Sequence, residues 1–302
     1  MVVFDQEKCI GCGLCAKDCF PKAIKIENRK AYFIENHNCM ECGHCIAVCP
    51  QDSVAIDTLD MSEVLELKGT SYSIDPENYL NHLKARRTIR AFTDKIVSVD
   101  QINMILDAGR FSPSGGNRQT VGYHVFREKV PEFRALIMDE LKAMGDEAQI
   151  TGVEDSWYSD LWIDMYDSFK TEGTDGLFFH AGTVIVVSSD SPQAAVIASA
   201  HMETMVYALG LGMMYSGFTT RAINHSTKLQ EYLGLQDNYK VWTVLVVGYS
   251  KVKYQRTVPR KKAKRTFVKG DFTQKMKSPD KLKFKHFFVC AIRSKTQYIH
   301  YD

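Results

Sequence analysis

The sequence predicts an α+β protein in two parts, a small cysteine-rich domain and a larger layered domain. The chain has 302 residues, which is about the length at which one hydrophobic core stops growing and chains split into domains. Eight of the nine cysteines lie before residue 50, whereas helical patterns and β-branched runs alternate beyond residue 79. We therefore expect a head at residues 1–58, a linker at 59–78, a body at 79–268 and a basic tail at 269–302.

The composition is that of a folded globular chain. Apolar residues make up 45% and charged residues 25% of the sequence, which excludes a low-complexity or collagen-like protein. No apolar run approaches the ~20 residues that span a bilayer, and the N-terminus lacks the basic flank and apolar run of a signal peptide. We expect a soluble, cytoplasmic protein with no membrane partner.

The net charge of +2 is unevenly distributed along the chain. Residues 1–60 carry 6 basic and 9 acidic side chains, whereas the tail carries 8 basic and 3 acidic ones. Lysines interleaved with phenylalanines in the tail are compatible with nucleic-acid binding. A solvated lysine-rich end that packs a few aromatics on the body is the commoner arrangement. We therefore predict no nucleic-acid partner.

The cysteines of the head form the motif C-x2-C-x2-C-x3-C twice. The two copies are offset by 30 residues and comprise Cys9, Cys12, Cys15 and Cys19, then Cys39, Cys42, Cys45 and Cys49. The repeat extends to Ala23–Ile26 and Ser53–Ile56, which indicates a duplicated unit. Three thiolates at this spacing converge on three corners of an iron–sulfur cubane, while the fourth cysteine turns toward the other cluster.

Two other uses of these cysteines fit less well. A zinc site needs four ligands from paired C-x2-C units and has no use for the additional cysteines of each motif. A disulfide scaffold would require an exported protein. His37 and His44 are expected to be surface residues rather than ligands, and Cys290 in the tail is expected to be an ordinary half-buried thiol.

The head resembles a bacterial two-cluster 4Fe–4S ferredoxin over about residues 1–58. The resemblance implies that Cys9, Cys12, Cys15 and Cys49 hold one cluster, and that Cys39, Cys42, Cys45 and Cys19 hold the other. The proline that follows the fourth cysteine in this family is present as Pro50. After Cys19 the sequence departs from the pattern, because Phe20 comes first and Pro21 one residue later.

Capping residues and periodicity predict the helices that begin the body. A short helix over 62–67 is expected in the linker, and a helix that opens at Asn78 or Asn81 runs to about Arg86. Ser98 and Gln101 fit a capping box for the helix that follows. The buried face of that helix is predicted to comprise Ile102, Ile105, Leu106 and Gly109.

The strands of the body are predicted from apolar β-branched runs. These runs are Val121–Phe126, Thr183–Ser189 and Val241–Tyr249. An almost entirely apolar helix over Gln193–Leu209 lies between the last two and should be central. Helices and strands are intermixed, so the body is expected to be a layered α+β domain.

A basic stretch at the start of the body suits phosphate binding. Alternating charged side chains and one hydroxyl, from Arg86, Arg87, Thr88 and Arg90, can bind a single phosphate. Taken alone, this stretch is equally compatible with a solvated basic turn. The body has no G-x-G-x-x-G after a strand, no Walker loop, no H-E-x-x-H and no G-x-S-x-G. Gly210-Leu211-Gly212 ends a helix and fits a C-terminal turn.

Further motifs follow the basic stretch in a fixed order. P-S-G-G-N-R-Q occupies 113–119, G-L-G occupies 210–212 and leads to Tyr215–Phe218, and a strand ends at Gly248-Tyr249 before a basic segment at 256–265. With these motifs the body resembles the nitroreductase family of FMN enzymes over about residues 79–268. One departure is Thr120-Val121, where the family often has Pro-Trp, at the wall of the substrate site.

The resemblance implies which residues bind FMN. The phosphate and ribityl chain would be bound by Arg86, Thr88 and Arg90, with Arg87 beside them. Arg260 would close on the phosphate, although Arg256, Lys261 and Lys262 lie close to it in sequence. The isoalloxazine would be contacted from the partner subunit by Pro113, Ser114 and Asn117, with Gln119 nearby. The backbone of Tyr215, Ser216 and Gly217 would face the other edge of the ring, which implies a homodimer with FMN at its interface.

The expected activity is that of an iron–sulfur flavoprotein reductase, in which two clusters supply electrons to FMN and a small molecule accepts them. Nitroaromatics, quinones and flavin-like molecules are candidate acceptors, and an external ferredoxin or NAD(P)H is a candidate donor. No side chain is assigned as a general acid or base. His180, His201 and His225 are expected to be structural, and His201 is expected to be buried with its helix and hydrogen-bonded internally. An electron-transfer protein that serves another redox protein is the alternative, and a flavin-fragmenting or dehalogenating enzyme is a third possibility.

Overall fold

The structure is a computed structural model and describes residues 1–35, 37–67, 69, 71–151 and 156–266. The chain divides into two compact units, Met1–Val258 and Pro259–Asp302. In the second unit, the described residues 259–266 are exposed and have no regular secondary structure. The predicted tail at 269–302, with Cys290, lies outside the described residues.

The head folds into two short antiparallel pairs and two short helices. Its elements are β1 (Val2–Phe4), α1 (Leu14–Asp18), β2 (Ile24–Glu27), β3 (Lys30–Phe33), α2 (His44–Ala47) and β4 (Val54–Ile56). β1 pairs with β4, and β2 pairs with β3. Each helix begins after a glycine in the left-handed region, Gly13 at φ 77° and Gly43 at φ 70°. The matching turns agree with a duplicated unit.

The core of the head is small and includes its own cysteines. Cys9, Cys15 and Cys45 are buried and pack with apolar side chains that include Ile24 and Ile56. A domain of this size buries too little apolar surface to be very stable without metals, disulfides or a larger partner. The cysteines therefore contribute to packing as well as being candidate ligands.

The segment between head and body differs from the sequence expectation. A single 3-10 turn, Met61–Glu63, takes the place of the helix expected over 62–67. The next helix, α3 (Pro76–Ala85), begins before Asn78, because the Asp75 side chain accepts the Asn78 backbone N–H at 2.6 Å. The proposed caps Asn78 and Asn81 were wrong, since an acidic cap followed by proline initiates the helix earlier.

A four-stranded antiparallel sheet forms the centre of the body. Its strands are β5 (Gly122–Phe126), β6 (Thr183–Ser189), β7 (Gly212–Tyr215) and β8 (Lys240–Gly248), in the order β5-β6-β8-β7. Three of them match the predicted runs to within one residue at each end. β7 was not predicted, because it has only four residues and begins two residues after Gly210, the glycine that ends the preceding helix.

Helices cover both faces of this sheet. One face is packed by α4 (Val99–Arg110) and α7 (Pro192–Ala208), and the other by α5 (Val130–Thr151), α6 (Ser156–Glu172), α8 (Gly217–His225) and α9 (Thr227–Leu233). On β6, Ile185 and Val187 belong to the apolar cluster on the first face, whereas Val184 and Val186 belong to the cluster on the second face. Both faces of β6 are buried, which explains its continuous apolar sequence.

The predicted capping box of α4 is confirmed. The Ser98 side chain accepts the Gln101 N–H, and the Gln101 side chain accepts the Ser98 N–H, both at 3.2 Å. Ile102, Ile105 and Gly109 are buried as predicted, and Leu106 packs partly against the same cluster. Among the described residues, none of the helices is both long enough and apolar enough to cross a bilayer.

Candidate functional site

The eight cysteines of the head line two separate cavities. Cys9, Cys12, Cys15 and Cys49, here called the first cysteine set, line one of them. Cys19, Cys39, Cys42 and Cys45, the second cysteine set, line the other. Each set thus combines three cysteines of one motif with the fourth cysteine of the other motif, which is the arrangement that the ferredoxin resemblance implies.

The surroundings of these sulfur atoms suit iron–sulfur clusters. Backbone N–H groups donate to sulfur at Cys9 (from Ala31, 3.4 Å) and at Cys19 (from Ala23, 3.3 Å). Hydrogen bonds of this kind stabilise negative charge on cluster sulfurs. Burial raises the pKa of the Cys45 thiol to about 11, so a bound metal is needed to make it a thiolate ligand at neutral pH.

The second part of the site is the 86–90 segment, which runs along the outer edge of β7. Thr88 forms a parallel bridge with Met213, and the Ile89 N–H donates to the Met213 carbonyl at 3.0 Å. Ile89 is buried, so side chains of opposite parity, Arg86, Thr88 and Arg90, fall on the other side of this extended segment. The segment can therefore present two guanidinium groups and one hydroxyl on one side.

Arg86 and Arg87 differ in their contacts. Arg86 Nη1 lies 3.1 Å from Glu203 Oε1, and both side chains are largely shielded from solvent. The Arg87 guanidinium instead donates back to the carbonyls of Lys84 and Arg86, and its Nη2 is buried without a hydrogen-bond partner among the described residues. Arg87 therefore closes the C-terminal end of α3, and its predicted contact with phosphate stays a prediction.

Glu203 is a site residue that the sequence interpretation missed. It lies on α7, where Tyr207 also donates its hydroxyl hydrogen to the Arg87 carbonyl. Burial raises the pKa of the Glu203 carboxyl, although the neighbouring Arg86 acts in the opposite direction. A single carboxylate in an otherwise apolar helix was the feature that could have identified it.

An open groove begins where β7 meets α8. Its volume is about 790 Å³, and Tyr215, Ser216 and Gly217 contribute to its lining. Ser216 caps α8, because its hydroxyl oxygen accepts the Thr219 backbone N–H at 3.4 Å. The positive end of the α8 dipole therefore lies at the groove, where it favours electron-rich ligand atoms.

Tyr215, which lines this groove, is anchored to α7. Its hydroxyl donates to the Ser199 carbonyl on α7 at 3.0 Å. The predicted contact of the 215–217 backbone with the flavin stays a prediction.

The 113–119 loop lies next to β5 and contacts the head. Asn117 Nδ2 donates to the carbonyls of Met40 and Glu41, both at 3.0 Å. Met40 and Glu41 are the two residues between Cys39 and Cys42 of the second cysteine set. Ser114 Oγ accepts the Gln119 N–H at 3.0 Å, which helps to hold the loop in shape.

The 113–119 loop and the 86–90 segment lie at opposite edges of the body. β5 and β7 are the two edge strands of the sheet, about 14 Å apart for three strand spacings. The helix α7 separates them as well, because Arg118 pairs with Asp190 just before α7, whereas Arg86 pairs with Glu203. The twelve residues from Ser191 to Glu203 span about 18 Å of helix. One chain does not bring the two sets of predicted residues together.

The remaining candidate residues lie in varied surroundings. Arg260 is exposed and belongs to the second unit, so its contact with phosphate stays a prediction. His180 is exposed, and His225 Nδ1 lies 2.7 Å from Glu140 Oε1. His201 is exposed, so its expected burial in α7 was wrong. The apolar sequence of α7 hides which side of the helix faces solvent, and only packing reveals it.

Comparisons with known proteins agree with this architecture. The family model "Nitroreductase family" matches residues 83–249, which is more than half of the chain. The chain belongs to the nitroreductase family. The model "4Fe-4S dicluster domain" matches residues 2–56, so this family member is an oxidoreductase whose head is an iron–sulfur domain. Both resemblances noted in the sequence are confirmed.

Individual relatives cover either the head or the body of this nitroreductase-family protein. An uncharacterized ferredoxin of Methanocaldococcus jannaschii is 39% identical over 59 residues, 18% of this chain and 75% of that protein. A protein of Archaeoglobus fulgidus, named for NADH dehydrogenase or NAD(P)H nitroreductase activity, is 25% identical over 180 residues, 58% of this chain and 87% of that protein. A further relative of the head is matched over only 18% of its own length.

A solved structure supports the fold of the body. The crystal structure of a nitroreductase with bound FMN from Bacteroides fragilis has a TM-score of 0.50 and 21% identity, and the match covers 63% of this chain and 98% of that one. At this identity the likeness concerns the fold alone. It confirms the predicted layered α+β body.

Proposed function

We propose that the protein is an iron–sulfur flavoprotein reductase in which the head supplies electrons to FMN held by the body. The acceptor would be a small oxidised molecule such as a nitroaromatic, a quinone or a flavin-like compound. The observation that carries the proposal is the pair of hydrogen bonds from Asn117 to Met40 and Glu41. Through them a loop between two cluster cysteines touches a loop that the family resemblance assigns to the flavin.

The side chains and backbone groups described above fit the parts of FMN. Arg86, Thr88 and Arg90 would bind the phosphate through charge and hydrogen bonds. The N-terminus of α8 and the backbone of 215–217 would hold the isoalloxazine, in a groove whose volume lies in the range of small-molecule sites. When bound, FMN supplies the conversion of single electrons into hydride transfer. The protein side chains bind and orient the cofactor and perform no acid–base step.

The assembly and surroundings are part of the proposal. We propose a homodimer with FMN at the interface and the domain limits 1–58, 59–78, 79–268 and 269–302. The two family matches, 2–56 and 83–249, fall within these limits. An external ferredoxin or NAD(P)H would be the electron donor, and the cytoplasm the location.

The first test measures the cofactors and their order of reduction in the anaerobically prepared full chain. We expect about eight iron atoms and one FMN per chain. Dithionite should reduce the clusters first and the FMN afterwards, and a nitroaromatic or a quinone should then reoxidise the FMN. Protein reconstituted with iron and sulfide that holds only half this iron, or FMN that is reduced independently of the clusters, would contradict the proposal.

A matched pair of variants supports the interpretation of that test. Cys42→Ala should reduce the iron content to about half and leave the FMN content largely unchanged. Cys290→Ala, which changes the one cysteine outside the motifs, should leave both unchanged. An equal loss of iron in the two variants would argue against the motif cysteines as ligands.

A second candidate function is electron transfer to or from another redox protein. It is favoured by the acidic head, in which residues 1–60 carry a net charge of −3. Binding that weakens steeply with ionic strength, together with slow turnover of nitroaromatics and quinones, would favour this alternative.

A further inference from the structure

The contacts of the head bear on which flavin each head serves in the proposed electron route. The head is hydrogen-bonded to the 113–119 loop of its own chain through Asn117. The linker that follows the head is held at the same edge, because Arg110, just before that loop, forms two hydrogen bonds to Glu63 at 2.9 and 2.8 Å. The second cysteine set is therefore held at the β5 edge of the body.

The 86–90 segment lies away from that edge, because it runs beside β7. Arg86 contacts α7 at Glu203, whereas Arg118 is paired with Asp190 just before α7 begins. Along the helix, the twelve residues from Ser191 to Glu203 span about 18 Å. The second cysteine set of a chain is thus not adjacent to the phosphate-binding side chains of the same chain.

We propose that the contact between Asn117 and the Met40–Glu41 backbone docks the second cysteine set of one chain beside the flavin bound by the partner subunit. The inference rests on the proposed function. A second copy that brings its groove to the 113–119 loop completes the flavin site and places this head next to it. Each dimer then has two electron routes, and both cross the subunit interface.

The docking contact uses the side-chain amide nitrogen, Nδ2, of Asn117. Both N–H groups of its amide are directed to carbonyls of the head, so only the carbonyl oxygen Oδ1 remains for a flavin. The left-handed backbone of Asn117, at φ 54°, and of Glu41, at φ 49°, helps the two loops to present these groups to each other. Asn117 is thereby a positioning residue that joins the two cofactor sites.

The chemistry is a one-electron exchange that balances simply. A low-potential one-electron donor, such as dithionite or a reduced ferredoxin, reduces the head. Each transfer oxidises the second cluster by one electron and reduces the neighbouring flavin by one electron. Two transfers, with protons from solvent, complete the reduction of the flavin, and no bond within the protein is made or broken.

The test uses mixed dimers of the full chain that carry two changes, Cys42→Ala to remove the second cluster and Arg86→Glu to prevent FMN binding. In the split arrangement, each change is on a different chain. In the same-chain arrangement, one chain carries both changes and the other is wild type. Each dimer then contains one flavin and one intact second cluster, and only their relative position differs.

The readouts are the single-turnover rate of flavin bleaching after mixing with dithionite and the steady flavin fluorescence, which a nearby iron–sulfur cluster quenches. We expect rapid bleaching and quenched fluorescence in the split arrangement. In the same-chain arrangement we expect bleaching that is slower by about tenfold or more, as for removal of a positioned reaction partner, with brighter fluorescence. The reverse pattern, equal behaviour of the two dimers, or a monomer that retains FMN would overturn the inference.

A second variant keeps the test decisive if Cys42→Ala disturbs the head. Asn117→Asp retains all cysteines but places a carboxylate against two carbonyl oxygens, so the head should undock. Iron content should stay constant, while flavin bleaching slows and fluorescence rises. Asn238→Asp, in the exposed turn before β8, serves as the control for an added charge. Unchanged bleaching in Asn117→Asp would overturn the docking role. If the clusters of the wild-type protein do not reduce the flavin at all, the proposed function itself fails. That result is distinguishable from a failure of the docking inference, in which the wild-type flavin is still reduced.

Discussion

Glu203 on α7 pairs with Arg86, the first basic residue of the 86–90 segment, across 3.1 Å. The pair joins residues that are 117 positions apart in the chain, and both side chains are mostly buried. A phosphate bound at Arg86 would therefore share the guanidinium with a carboxylate. The strength of FMN binding should depend on the charge of Glu203.

The first prediction concerns this charge. Glu203→Gln keeps an oxygen that can accept from Arg86 but removes the negative charge near the phosphate. We expect FMN to bind about threefold to tenfold more tightly, as for one partly screened charge interaction. The dissociation constant from flavin fluorescence quenching measures the effect. Glu231→Gln, on α9, is the control, and weaker binding in Glu203→Gln would show that the carboxylate mainly positions Arg86.

The second prediction concerns pH. Burial raises the pKa of Glu203 above its ordinary value of 4.5. The folded state then disfavours the ionised carboxyl at neutral pH, and this penalty disappears as the pH falls through the raised pKa. Wild type should therefore gain stability relative to Glu203→Gln as the pH is lowered from neutral toward 4.5. Thermal unfolding of both proteins across this interval provides the measurement, and parallel curves would contradict the assignment.

The third prediction concerns the hydroxyl of Thr88. Thr88→Val retains the shape of the side chain but removes a hydrogen bond to phosphate, whereas Thr88→Ser retains the hydroxyl. We expect FMN binding to weaken about fivefold to tenfold in the valine variant, the usual value of one hydrogen bond. The serine variant should bind almost as wild type does. Calorimetric titration with FMN measures both, and equal affinities in the two variants would remove Thr88 from the site.

The fourth prediction concerns Gly212, the second glycine of the G-L-G motif. A Cβ at Gly212 would lie 2.6 Å from Ile89 Cγ1 and 3.3 Å from Ile89 Cβ. Since Ile89 is buried, Gly212→Ala must displace the 86–90 segment from β7. We expect a loss of about 1–3 kcal/mol in the free energy of unfolding, as for an overpacked core, together with weaker FMN binding.

The control for this change is Gly182→Ala, because a Cβ at Gly182 would meet no atom within 4 Å. Denaturant unfolding and FMN titration should show little change there. A stable, flavin-tight Gly212→Ala protein would mean that the segment is not held by this close contact.

Local patterns in the sequence were sufficient to predict the cysteine motifs, one helix start and two of the strands. The spacing of the cysteines, the Ser98–Gln101 capping box and the β-branched runs of β6 and β8 each depend on residues close together in the chain. Neighbouring residues set turn geometry, caps and burial periodicity, so these features can be deduced without knowledge of the fold. The same holds for the order of motifs that reveals the nitroreductase family.

Long-range packing decided the features that the sequence did not predict. The short strand β7, the outward orientation of His201, the pairing of Glu203 with Arg86 and the contact of Asn117 with Met40 have no local signature. Each depends on which distant segment is packed alongside, and hydrophobicity alone does not encode that choice on an apolar helix such as α7. The placement of the head beside the 113–119 loop is of this kind, because two hydrogen bonds between residues more than 70 positions apart create it.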